Sequence, residues 1–241
     1  MNKYRPSAIT LQETKLSKPG MIKLPGYQVF EQNRKNRRGG GLLTAVDEDT
    51  NPVLISTGKE DNEILTIQAD LGQDKLRIIN AYGPQEDDGN QKVLGFWQDI
   101  EAEIMNAENN DCLIIIELDA NAKVGDNVIK GDPNSMSNNG EIMLDVILRH
   151  NLFIVTLITR ERVLENKTDQ SVIDYIIVCE RMKRFLQMMT IDDQRIDVLH
   201  HYTKRKNKVI TSDHNILFSK FSLTFDRKPR KIRQEFFSIQ M

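Results

Sequence analysis

Apolar positions in this chain come in short runs separated by turn residues. Ala8 to Leu11, Gly41 to Val46, Ile64 to Leu71 and Leu76 to Ala81 have the length of strands, and the last of these ends in the turn Tyr82, Gly83, Pro84. Several runs are apolar on both faces, which predicts core strands. The period then changes: Val93, Leu94, Trp97, Ile100, Ile104 and Met105 return at helical spacing until the polar stretch Glu108, Asn109, Asn110. Leu113 to Leu118 is the most continuous apolar run. After it, Val124 to Asn139 reads as a glycine- and asparagine-rich loop. Ile142, Met143, Val146, Ile147 and Leu148 predict a second amphipathic helix, and Phe153 to Ile158, Val172 to Val178 and Ile216 to Phe225 predict further strands. Strands and helices mix without strict alternation, so the expected α/β (α+β) architecture is two mixed sheets packed face to face with helices outside, a four-layer sandwich.

Composition narrows this picture. The 241 residues suit one domain, expected over residues 1–225, and 39% hydrophobic with 28% charged residues excludes a disordered or repetitive chain. No apolar stretch approaches the ~18 residues that span a bilayer. The opening Met1 to Thr10 is charged and contains Pro6, unlike an export signal, so a nuclear or cytoplasmic monomer that is not secreted is expected. Cys112 and Cys179 lie in or beside apolar runs, as free thiols do. The net charge of −2 hides an uneven distribution. Lys204, Arg205, Lys206 and Lys208, followed by Arg227, Lys228, Arg230, Lys231 and Arg233, make the end of the chain basic, and residues 226–241 read as a basic tail. Arg34, Lys35, Arg37 and Arg38 precede Gly39, Gly40 and Gly41. Either run suits a phosphate backbone, and either suits a plain solvated surface.

The acids and amides fall at strand ends. Glu13 follows the first run, Asn80 and Tyr82 close the fourth, and Asp119 with Asn121 follows Leu113 to Leu118. Asp174 lies inside Val172 to Val178, while Asp213 and His214 precede Ile216. Carboxylates gathered at the ends of neighbouring strands need a cation or a proton to offset their repulsion, and oxygen donors suit Mg²⁺ or Mn²⁺. An acid inside Val-Ile-Asp-Tyr-Ile-Ile-Val is costly unless paired. Four histidines and two cysteines show no zinc-type spacing.

Six segments in this order carry a resemblance: Leu11-Gln12-Glu13-Thr14-Lys15, Arg38-Gly39-Gly40-Gly41, Asn80-Ala81-Tyr82-Gly83-Pro84, Leu118-Asp119-Ala120-Asn121-Ala122, Ser171-Val172-Ile173-Asp174-Tyr175 and Ser212-Asp213-His214. The chain resembles the endonuclease/exonuclease/phosphatase superfamily. Within it, the chain is most similar to the apurinic-type endonuclease domains of non-LTR retrotransposons and to the craniofacial development protein 2-like proteins. The resemblance implies a DNase I-like fold and Mg²⁺-dependent nicking of DNA, with Glu13 and Asp213 holding the metal shell. Asp119 would align and activate water, Asn121 would orient the water or the phosphate, and His214, fixed by Asp174, would contact the scissile phosphate. Tyr82 would bond a phosphate oxygen, and Asn80, Arg38 and Ser212 would face the substrate.

Two features depart from the pattern. Relatives carry a first strand with a metal-ligating asparagine, then a helix, before the Glu motif. Only twelve residues precede Glu13 here, too few for a strand and its crossover. A fragment, or a natural protein without that strand and with an open sheet edge, is therefore expected. Glu117 stands where many relatives have glycine, and on a regular strand it faces the same side as Asp119, where it would raise the Asp119 pKa or recruit a cation. Two rival readings thus stay open: a silent domain that binds nucleic acid or protein, and a phosphomonoesterase of the same fold.

Overall fold

The structure, a computed structural model, describes residues 6–16, 18, 20, 22–34, 40–59, 62–156, 160–164, 167–192, 200–203, 208–211, 214–223 and 235–240. Three strands open the chain: β1 (Ala8–Leu11), β2 (Tyr27–Gln32) and β3 (Leu42–Asp47). An antiparallel run follows, β4 (Val53–Thr57), β5 (Glu63–Asp70) and β6 (Lys75–Tyr82). Helix α1 (Asn90–Asn109) leads to β7 (Leu113–Asp119), and α2 (Asn138–Arg149) leads to the short β8 (Leu152–Ile154). After the hairpin β9 (Arg160–Leu164) and β10 (Lys167–Ser171) come β11 (Asp174–Cys179), the single turn α3 (Glu180–Lys183) and β12 (Leu186–Ile191). A second hairpin, β13 (His200–Thr203) and β14 (Lys208–Thr211), precedes β15 (Leu217–Ser222) and β16 (Glu235–Gln240).

These strands form two six-stranded sheets, ordered β12-β15-β16-β1-β3-β2 and β4-β5-β6-β7-β11-β8, with the two hairpins apart. Alternation along β7 explains why its run is apolar throughout. Leu113 and Ile115 join Leu65, Ile67, Ile78, Ile176 and Val178 in the core between the sheets. Ile114, Ile116 and Leu118 point the other way, against Val93, Phe96, Trp97, Ile100 and Ile104 of α1 and Met143, Val146 and Ile147 of α2. Burying a side chain of this size contributes about 1.5–3 kcal/mol, so a strand buried on both faces is a strong anchor for whatever stands at its end. Here that is Asp119.

Two expectations change. Both long helices cover the second sheet. The outer face of the first carries only a small cluster, Ile9, Leu43 and Ala45 under Leu11, Leu16, Leu24, Tyr27 and Val29, with no helix against it among the described residues. The other change concerns the end of the chain. Glu235–Gln240 is not tail: β16 runs antiparallel to β15 and parallel to β1, in the middle of the first sheet. Strand β1 therefore has partners on both sides, β16 and β3, and the expected open edge is filled. Phe236, Phe237 and Ile239 are the strand signal in this segment, set directly after a basic run that suits a solvated tail. Residues 226–234 lie outside the described residues.

Candidate active site

Strands β6 and β7 are parallel neighbours and β11 runs antiparallel beside β7, so the ends of β6 and β7 and the start of β11 share one rim of the sheet. Register places Tyr82 opposite Asp119 and Asp119 opposite Asp174. Across the gap between sheets, the chain leaving β1 brings Glu13, and the chain entering β15 brings His214. Donor atoms of Asp119, Asp174 and His214 all lie within 4.8 Å of one another. The His214 Nδ1 sits 3.1 and 3.0 Å from the two Asp174 oxygens, which fixes the ring. Glu13 stands at the outer lip, where the Tyr82 hydroxyl donates to its Oε1 at 2.9 Å and Lys15 Nζ lies 3.0 Å from its Oε2.

The loops at this rim are tied to one another. Asn121 adopts a left-handed backbone, φ 48°, so that its N–H donates to Asp119 Oδ1 at 3.1 Å while its side-chain amide donates to the Gly83 carbonyl at 2.9 Å. The Gly83 N–H returns a bond to the Asp119 carbonyl at 2.7 Å. Asn139, fully buried at the start of α2, accepts from the Trp97 indole and donates to the carbonyls of Pro84, Ala120 and Asn121. Gly83 is required by this closeness, because a Cβ there would stand 2.4 Å from the Ala120 carbonyl oxygen. Gly83→Ala is expected to lower stability by about 1–3 kcal/mol, read as a reduced urea midpoint, and to disturb the Asp119 loop.

Burial decides the electrostatics. It pushes Asp119 up to about 7, helped by the adjacent Asp174 carboxylate and opposed by His214. Burial alone pushes Glu117 up to about 7, against the hydroxyl of Thr10, which donates to Glu117 Oε2 at 2.8 Å. Glu117 is not what raises Asp119, contrary to the sequence expectation; desolvation and Asp174 are. At Glu13 burial is outweighed by Lys15, Tyr82 and His214, which hold it below the ordinary range. Burial, with Asp119 and Glu13 beside it, raises the Tyr82 phenol, so this hydroxyl keeps its proton. Asp119 and Glu117 bind protons more tightly in the folded than in the unfolded chain. Their linked contribution is full below the unfolded carboxylate pKa of roughly 4 and is lost as pH rises to about 7. In a chelator, the urea midpoint should fall between pH 5 and pH 8, and fall less in Glu117→Gln.

The structure gathers Asp119, Asn121, Asp174, His214, Tyr82 and Glu13 at one rim. It does not bring Asn80 to a substrate. Asn80 is fully buried, its amide donating to the Leu43 carbonyl, the Thr44 hydroxyl and the Leu11 carbonyl while its oxygen accepts from Gln12, so it ties the two sheets together below the site. Arg38, Ser212 and Asp213 lie outside the described residues. Arg34 is committed to the buried Glu63, and so is not a free phosphate contact. Sequence reading missed Asn139 and Glu63, a lone amide and a lone acid at element starts that no periodicity marks.

Donor chemistry at the rim fits a divalent cation: two buried carboxylates face each other, a third stands at the lip, and oxygen atoms outnumber the single imidazole. No protein-family model and no curated protein matches the sequence. Solved structures match its shape. The 3' phosphatase NExo from Neisseria, bound to a product DNA hairpin, superposes with a TM-score of 0.66 at 15% identity, over 91% of this chain and 90% of that one. The catalytic domain of Xenopus laevis APE2 gives 0.63 at 16% identity, over 86% and 81%. The endonuclease domain of TRAS1, a telomere-specific non-LTR retrotransposon, gives 0.59 at 17% identity, over 87% and 83%. The two facing mixed sheets are shared with these structures over most of their length, so the chain has the DNase I-like fold.

Proposed function

We propose that this chain hydrolyses phosphodiester bonds of DNA, nicking one strand, with Mg²⁺ or Mn²⁺ bound at Glu13 beside the Asp119 and Asp174 carboxylates. The observation that carries the reading is the Asp119, Asp174 and His214 cluster, with Tyr82 and Glu13 at its lip. Support for nucleic acid as the substrate class comes from structures of the same fold, a phosphatase with a product DNA hairpin and a retrotransposon endonuclease domain. The cation, when bound, supplies positive charge to the phosphoryl oxygens.

The residues do the rest. Asp119, one oxygen fixed by the Asn121 N–H, accepts the proton of the attacking water. Asp174 holds His214 through Nδ1, so Nε2 is the nitrogen that meets a phosphoryl oxygen as charge builds there. Tyr82 remains a hydroxyl donor beside it. One contact favours a silent, DNA-binding reading instead: the Lys15 ammonium already lies against Glu13. Supercoiled plasmid and a small phosphomonoester, each offered with Mg²⁺, separate the readings. Open circles without phosphate release support the nuclease, phosphate release without open circles supports a monoesterase, and a plasmid gel shift with neither product supports the silent domain.

A further inference from the structure

Glu63 is buried at the start of β5, at the same rim of the sheet and two strands from Asp119, and it has no place in the chemistry. Its two oxygens are nonetheless fully used: one accepts the N–H of Gly41 and the other the guanidinium of Arg34. A buried carboxylate is expensive, and two charge-assisted bonds offset that expense only while both partners stay in place.

What Glu63 holds leads to the site. Gly40 and Gly41 both have positive φ, 65° and 93°, and their carbonyls accept the N–H groups of Lys15 at 2.8 Å and Thr14 at 3.0 Å. Glu13, between these bonds and β1, has φ 51°, a left-handed conformation that costs a residue with a side chain roughly 1–2 kcal/mol and persists only when its surroundings fix it. The space is closed to alternatives: a Cβ on Gly40 would stand 2.5 Å from Glu63 Oε1, and one on Gly41 2.7 Å from the Thr14 hydroxyl. The contacts form a ring. Glu63 pairs with Tyr82 across β5 and β6, Tyr82 donates to the Glu13 carboxylate, and the Glu13 backbone returns through Thr14 and Gly41 to Glu63.

We infer that Glu63 is a positioning residue: through the Gly41 N–H it fixes the strained backbone that aims the Glu13 carboxylate at the cation and substrate. The inference rests on the proposed nuclease reading for what Glu13 does, but not for how Glu13 is held. Removing either member of the pair alone would strand the other's charge, so the test variant is Glu63→Ala with Arg34→Ala, beside Glu63→Gln with Arg34→Ala, which keeps an uncharged acceptor for the Gly41 N–H.

Hydrogen exchange at the Thr14 and Lys15 amides reads the positioning without any metal. The double-alanine variant should exchange at least tenfold faster there with β5 and β7 protection unchanged, while Glu63→Gln with Arg34→Ala should stay within twofold of the parent. In plasmid nicking, the Mg²⁺ concentration for half-maximal rate should rise about tenfold in the double-alanine variant, while its rate at saturating Mg²⁺ stays within threefold of the parent. Unchanged exchange in the double-alanine variant, or a loss as large in Glu63→Gln with Arg34→Ala, overturns the inference. Faster exchange in a chain whose parent nicks nothing leaves the positioning standing and rejects the nuclease reading instead.

Discussion

Asp119→Asn is expected to lower Mg²⁺-dependent nicking about a thousandfold or more while leaving the folded chain as stable as the parent, or more so, at pH 7.5. The two halves of that outcome have one cause. Burial and the facing Asp174 make an ionised Asp119 unfavourable in the folded state, which is why its pKa rises to about 7. An amide removes the like-charge repulsion, keeps an oxygen for the Asn121 N–H and can donate to Asp174. It cannot accept a proton from water. An acid that the fold would be more stable without is expected where the acid is placed for chemistry. Melting curves in chelator and nicking assays in Mg²⁺ on one preparation measure both halves. A variant that melts well below the parent, or still nicks at a tenth of its rate, would show that Asp119 serves the fold and not the reaction.

Removal of residues 235–241 should have the largest effect on the fold. β16 pairs with β15 over six positions and with β1 over three, so its loss parts the first sheet down the middle and opens the core that Leu217, Phe221 and Ala8 share with the second sheet. Ladder bonds at roughly 1 kcal/mol each, added to the exposed apolar area, reach the 5–15 kcal/mol that is the whole net stability of a typical domain. The truncated chain should lose cooperative unfolding and nicking together, because β1 leads directly to Glu13. A synthetic peptide of sequence Glu-Phe-Phe-Ser-Ile-Gln, added during refolding, should recover part of both. A truncated chain that melts like the parent would mean that β16 is dispensable to the sheet.

The sequence made the buried strands easy to read, and the polar ones hard. β6, β7 and β11 carry apolar residues on both faces and β5 alternates, and all four stood out; β2, with Tyr-Gln-Val-Phe-Glu-Gln, and β4, with an exposed Val-Leu-Ile, did not. The acids of the site were legible because each is an exception at the end of an apolar run, and the order of six short segments gave them roles. What holds them was not legible. Asn139, Asn80 and Glu63 act through backbone carbonyls and N–H groups contributed by distant loops, partners that only the folded chain brings together. The reading of Asn80 as a substrate contact failed for that reason: its neighbour Tyr82 reaches the rim, while Asn80, two residues earlier and fully buried, faces the other sheet.

The central claim is that the rim cluster cleaves phosphodiester bonds with a divalent cation. Its most direct measurement is the conversion of supercoiled plasmid to open circles by the unaltered chain, in Mg²⁺ and again after addition of excess EDTA. Open circles should accumulate with time in Mg²⁺, stop on chelation and resume when Mg²⁺ is restored. No open circles at any Mg²⁺ or Mn²⁺ concentration, or the same rate in EDTA, would contradict it.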